Sequence, residues 1–248
     1  MTRSRLAAGG SIALLLVVTA VLILAIRAPA AWLGDWIEAR THTRLVDARG
    51  TIWHGSALLG FSNGRETTLV PGRLEWQVES VAASGISGRV SHPWLTAPLQ
   101  LSLGRQAVGF AKGSARVPAG VLATAGAPFN TLRPGGTLEA SWTDGMLLGN
   151  ALKGEVQIDW RDARSALSTV APLGSYRLRI TGTGATPALD LQTLSGPLQM
   201  QGKGRIEGRR IRFNGTASAE AGMQPALNGL LGILGMRSGD KVLLAIDT

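Results

Sequence analysis

The sequence predicts a mainly β protein, in which an N-terminal transmembrane helix is followed by a large curved, mostly antiparallel β-sheet domain with a two-fold internal repeat and two short helices. Three observations predict it. Apolar and polar residues alternate along eight short stretches, which is the period of a strand with one buried face. Glycine (33 residues) and proline (11) punctuate these stretches, at the spacing of roughly 8–12 residues expected of a meandering sheet. Ahead of them lies one long apolar run, residues 6–26, without a charge.

That run, LAAGGSIALLLVVTAVLILAI, rises about 1.5 Å per helical residue and so crosses the roughly 30 Å hydrocarbon layer of a bilayer. Arg3 and Arg5 precede it, and Asp35 and Glu38 follow beyond Arg27. The positive-inside rule then leaves residues 1–5 as a cytoplasmic tail and exports everything after the run. Residues 27–42 read as a juxtamembrane segment, where Trp32 and Trp36 lie on one face of a helix continuing past Pro29 and suit the interfacial aromatic belt. A cleaved signal peptide is the competing reading, because Ala28-Pro29-Ala30 resembles a small-residue cleavage site. Against it, the apolar run exceeds the usual core of about 7–15 residues, and both Arg27 and Pro29 sit within the cleavage region. Both readings export residues 43–248, the β-rich domain.

The strand signal is clearest at 73–79, where Leu74, Trp76 and Val78 alternate with Arg73, Glu75, Gln77 and Glu79. It recurs at 99–103, 138–142, 156–160, 176–180, 189–191, 198–200 and 211–213. Half-buried antiparallel strands carry such a pattern. Two stretches have a helical period instead: 118–125, PAGVLATA, opening on a proline, and Met223, Leu227, Leu230, Leu231 and Leu234 at 3.6-residue spacing. Gly229, Gly232 and Gly235 in the second would permit close packing but weaken the helix. The chain also compares with itself at an offset of about a hundred residues. Pro98-Leu99-Gln100 returns as Pro197-Leu198-Gln199, Gly113-Ser114-Ala115 as Gly215-Thr216-Ala217, LEWQV from Leu74 aligns with YRLRI from Tyr176, and Trp53-His54-Gly55 with Leu152-Lys153-Gly154. The predicted halves are about 50–142 and 149–247, each running strands, a short helix and a closing strand.

Composition excludes several functions. With no cysteine, a disulfide framework, a thiolate zinc site and a cysteine nucleophile are all ruled out. The net charge of +9 raises the question of nucleic acid, but the arginines are scattered singly along the strands, apart from Arg209, Arg210 and Arg212, and the aromatics are too few to form stacking platforms. No nucleic acid partner is expected; attraction to anionic lipid headgroups fits the charge better. His42, His54 and His92 are far apart and lack a spaced carboxylate, so no metal or cofactor is expected. Gly202, Gly204 and Gly208 miss the dinucleotide fingerprint and suit a hairpin. Asp159 and Asp162 flank an expected turn at 161–164, and Glu75 and Glu79 share a polar strand face. Nothing assembles a nucleophile, a base and an oxyanion site, so the chain is expected not to be an enzyme.

One set of motifs goes beyond composition. Gly50-Thr51-Ile52-Trp53-His54-Gly55-Ser56-Ala57, then Leu69-Val70-Pro71-Gly72-Arg73-Leu74-Glu75-Trp76, resemble the G-T-[LIV]-W-x-G-x-[AG] and L-P-G-x-[LV]-x-W signatures of the type II secretion system protein N family, with Val70 in the place expected for leucine. An L-R-P-G-G-like segment at 127–136, a P-L-G-x-Y element at 172–176, a T-x-x-G-P-L element at 193–198 and an L-x-x-L-L-x-x-L-G helix at 227–235 follow in the family's order. The resemblance covers nearly the whole chain. It implies an accessory inner-membrane protein of Gram-negative bacteria, single-pass with a cytoplasmic N-terminus and a periplasmic domain, which contacts other inner-membrane and periplasmic subunits of the machine that exports folded proteins through the outer membrane. A more distant similarity to AsmA-like proteins implies an alternative, a periplasmic lipid-binding or lipid-transfer module with phospholipid as partner. Trp53, Trp76, Trp94, Trp142 and Trp160 read first as the core face of the sheet; the alternative is that some line an open groove contacting an acyl chain or a partner's strand.

Overall fold

The computed structural model describes residues 26–39, 43–62, 67–125, 129–149, 151–208 and 210–247. The predicted transmembrane run lies outside the described residues except for Ile26, as do the tail 1–5 and His42. Among the described residues no helix is long and apolar enough to cross a membrane.

The period-two stretches fold as strands of one sixteen-stranded antiparallel sheet. Its strands are β1 (Thr43–Gly50), β2 (His54–Ser62), β3 (Thr67–Ala82), β4 (Gly85–Ser91), β5 (Leu99–Gly104), β6 (Ala107–Phe110), β7 (Gly113–Pro118), β8 (Pro134–Trp142), β9 (Gly145–Leu148), β10 (Ala151–Ser165), β11 (Gly174–Gly184), β12 (Ala188–Ser195), β13 (Leu198–Glu207), β14 (Arg210–Ala219), β15 (Met236–Ser238) and β16 (Lys241–Asp247). β6 and β7 form one crooked strand, as do β8 and β9: the pairs Ala107↔Leu148, Phe110↔Gly145, Gly113↔Trp142 and Pro118↔Thr137 keep a single register across both. At the crook the side chains take over backbone pairing, with Thr143 Oγ1 accepting from Glu155 N–H (3.0 Å) and Asp144 Oδ1 from Lys112 N–H (2.7 Å). The sheet is therefore a meander in which each strand pairs with its neighbour in sequence, until β16 returns past a helix to pair with β14. Residues 54–148 and 151–247 share one element order: five antiparallel strands, a helical connection and a closing strand.

Among the described residues, two helices pack on the apolar face of the sheet. α1 (Ala30–Glu38) turns Ala30 and Leu33 onto Leu45, Ala48, Ala57, Trp76 and Val90. α3 (Gln224–Leu234) buries Leu227, Leu230 and Leu231 among Tyr176, Leu198, Ala217 and Val242. Full burial of one such leucine stabilises by about 1.5–3 kcal/mol. Gly229 and Gly232 do not serve close packing as expected, since a Cβ at either meets nothing within 4 Å. Gly235 does, because a Cβ there would strike the Leu243 carbonyl.

Two further expectations are corrected. Residues 118–125 do not form an amphipathic α-helix: Pro118 ends β7, and Ala119–Ala125 is a 3₁₀ segment, with the four-residue α2 (Phe129–Leu132) beyond it. Pro118, the residue expected to open a helix, is instead paired with Thr137 in the β7–β8 ladder, and the segment left contains Gly120, a poor helix former. Nor is 161–164 a turn. β10 runs on to Ser165 through a bulge at Asp162, whose φ of 50° takes up the extra residue in both the β8 and the β11 pairing. The hairpin expected around Gly202, Gly204 and Gly208 is present as β13–β14, with Gly208 at φ 66° in its turn.

Candidate functional site: the two faces of the sheet

Residues opposite one another in a ladder share a face, so the register sorts every side chain. One face is apolar from end to end. Under α1 it carries Trp76, and under α3 it carries Tyr176, Met200 and Ala217. Between these covered zones Val81, Ile86, Leu103, Val108, Leu147 and Leu152 pair in succession across six strands. The first five rank among the exposed large hydrophobics, and Val81 is 60% exposed. Soluble proteins seldom leave such a contiguous row open without a partner. A second opening, lined by apolar side chains, lies between α2, α3 and strands β10 to β16, with a cavity of about 490 Å³.

The opposite face carries a ladder of charge over β7, β8, β10 and β11, with Met146 and Leu148 exposed on it in β9. Arg116 reaches Glu139 (2.7 Å), Arg161 bridges Glu139 (3.3 Å) and Asp159 (2.7 Å), and Arg177 grips both Asp159 oxygens at 2.7 Å each. Asp159 is only 4% exposed. Hydrogen bonds from Arg177 hold its carboxyl below the usual carboxylate range, against the opposing pull of burial, and the same contact raises the guanidinium pKa of Arg177. A depressed pKa gives stability that is fully present above the unfolded value of about 4 and is lost as pH falls through the folded value. Asp159→Asn is therefore expected to lower the urea midpoint of the full chain at neutral pH. It should also flatten the decline below about pH 4, which urea titrations of the two proteins at pH 7, 4 and 3 will read.

The five tryptophans separate. Trp76, Trp142 and Trp160 stand on the apolar face, each with its indole N–H donated to a backbone carbonyl: Ile52 (3.1 Å), Ala111 (3.0 Å) and Gly135 (2.9 Å). Two depart from the core-face expectation. Trp94 lies one residue before Leu95, which bridges Ala115 on the apolar side, and so falls on the polar face beside Ser114, Arg116 and Glu139. Trp53 is in the turn between β1 and β2, half-buried. His92 packs edge-on to Trp94 at 4.9 Å, its Nδ1 accepting from Trp94 N–H, and burial lowers its pKa. Among the described residues no cluster of three His, Cys, Asp or Glu could hold a metal ion.

The motifs found in the sequence meet in space at two places. The first two build the junction under α1. Thr51 Oγ1 accepts from the N–H groups of Trp53 and His54, Ile52 N–H donates to Ala28 O (3.0 Å), and Gly55 must lack a Cβ because Trp76 packs over it. The later four converge on the apolar opening beside α3. Gly174 and Gly196, from the 172–176 and 193–198 elements, touch so closely that neither tolerates a Cβ, while Leu198 N–H donates to Leu173 O (2.9 Å) and Tyr176 O–H to Leu198 O (2.9 Å). In a comparison with known families, residues 42–243 match the type II secretion system (T2SS), protein N. The chain belongs to this family. It is thus a type II secretion component, associated with the cell envelope. Curated proteins and solved structures gave no match. Sequence reading placed the family's motifs but missed both the exposed apolar row and the charge ladder, whose members share no local pattern.

Proposed function

We propose that the chain is an accessory inner-membrane component of the type II secretion system, held by residues 6–26 with its N-terminus in the cytoplasm, and that its periplasmic β domain contacts other secretion subunits without catalysing a reaction. The match over residues 42–243 carries this reading. The uncleaved anchor gains support from the first described residues: Ala28 and Ala30 are 3% and 1% exposed, and Pro29 bridges Thr51, so the small-residue site is part of the folded domain. A chain joined to its sheet this tightly would hold the β1–β2 end at the bilayer surface. Trp53 and Trp94, half-buried and away from the covered core, are the tryptophans a partner subunit would reach.

Affinity capture of the full chain from gently solubilised native membranes is expected to enrich inner-membrane secretion subunits, and its deletion to lower export of folded proteins. Capture without any such subunit, together with unchanged export, would overturn the reading. A lipid-binding role is the second reading, favoured by the open apolar row from Val81 to Leu147.

A further inference from the structure

We infer that the hairpin tips at the anchor end of the sheet lie in the membrane interface, so that the bilayer surface covers the exposed row from Val81 to Leu147. The inference rests on the proposed anchoring. Register sets the tips 82–85, 104–107 and 148–151 side by side, through the pairs Gly85↔Gly104, Ala107↔Leu148 and Ala151↔Leu148. The apolar run 6–26 joins the sheet at the same end. There Ala28 O accepts from Ile52 N–H (3.0 Å), and beside it Trp53 O accepts from Val78 N–H (2.7 Å). Val81 stands beyond Val78 toward the tip of β3, about 10 Å further at the rise of a strand. Ile26 and Trp32, before and after the entry, are 65% and 51% exposed, and a tryptophan so placed suits the headgroup level.

The occupant follows from how the apolar side chains are distributed at the tips. The row spans six strands, roughly 24 Å at the ordinary spacing, and a second copy or a partner helix laid on the apolar face would cover it from one side. The β9–β10 tip is apolar on both sides. Leu147 and Leu148 point to opposite faces and are 40% and 39% exposed, and Met146, on the same face as Leu148, is 41% exposed. A protein packed against one face leaves the other in water. A bilayer surface receives a strand end from both faces at once, to the depth of about 5–10 Å that interfacial apolar side chains reach. Charge agrees with this occupant. The three tips contain no carboxylate, a group whose burial against lipid is costly. Their one cation, Arg105, is exposed, and an arginine can lay its stem along apolar surface while its guanidinium stays among headgroups.

The chain has no cysteine, so a single introduced cysteine reports one position. The test labels the full chain carrying Val81→Cys, Leu147→Cys, Leu148→Cys or, past the opposite end of β10, Leu167→Cys with an environment-sensitive fluorophore. Each protein is reconstituted in phosphatidylcholine vesicles with and without spin-labelled acyl chains. Labels at 81, 147 and 148 are expected to emit at shorter wavelength and to lose fluorescence to the spin label, and the label at 167 to do neither. Adding Leu103→Asp to the Val81→Cys protein should abolish the quenching, because a carboxylate draws the tips out of the interface; a label that partitions on its own account would stay quenched. All these positions are exposed, and hydrogen exchange in β3 and β10 confirms that the variants fold. Water-like emission at 147 and 148, or quenching that survives Leu103→Asp, would overturn the inference. So would disulfide-linked dimers of the unlabelled Leu147→Cys chain, which would mean that a second copy covers the row. An alkaline wash of the same vesicles tells the two failures apart: a chain that washes off refutes the anchoring and the inference with it, whereas a retained chain whose tip labels stay in water refutes the inference alone.

Discussion

Trp76→Ala is expected to destabilise the α1 end of the sheet by about 3–5 kcal/mol, the range for truncating a buried tryptophan. The ring is 8% exposed, packs with Ala30 and Ala57, and covers Gly55 so closely that no side chain fits there. Its indole N–H also holds Ile52 O in the turn that pairs with Ala28. Alanine removes the ring, opens a cavity beneath α1 and leaves that carbonyl without its partner. Trp76→Phe keeps most of the packing and should cost less, the hydrogen bond alone being worth about 1 kcal/mol. Amide hydrogen exchange at Ile52 and Val78, measured on the full chain in mild detergent, should accelerate strongly for alanine and modestly for phenylalanine. Unchanged exchange would mean that α1 is held by something other than this ring.

Leu227→Ala is expected to cost about 2–5 kcal/mol and to free α3 from the sheet. Leu227 is 0% exposed, at the centre of the cluster joining α3 to Tyr176, Leu198 and Val242. The helix has no side-chain N-cap and contains two glycines, and eleven residues are marginal as an isolated helix, so tertiary packing is what holds it. Limited proteolysis should then cut within 224–234 at protease concentrations that spare the parent. Gly229→Ala is the contrasting case. Its Cβ meets nothing within 4 Å, so helix propensity alone acts and stability should rise by about 0.5–1 kcal/mol. If both variants behaved alike, the burial assigned to Leu227 would be wrong.

The sheet was legible because alternation is a local record of burial: Leu74, Trp76 and Val78 declare one covered face without reference to any other strand. Alternation fails where a bulge resets it. Between Val78 and Ser80 the β3–β4 register shifts, which carries Val81 onto the apolar face opposite Ile86, and the bulge at Asp162 continues a strand through residues whose charges suggested a turn. Asp159 and Asp162 were visible as a carboxylate pair, yet only the ladder puts Asp159 between Glu139 and Arg177 and assigns it to an ion-pair network. Trp94 misled for a related reason. Nothing in the residues around it tells which face of the sheet the connection between β4 and β5 lies against.

By itself, then, the sequence determined the class of fold, the family, and the order of strands and helical connections, because each rests on short-range periodicity or on motifs contiguous in the chain. Only the tertiary structure decided which face stays uncovered and where a cavity opens. Those depend on the space between α2 and α3 over the sheet, and on register accumulated across strands tens of residues apart. A gap between packed elements is set by what does not touch, and no stretch of sequence records that.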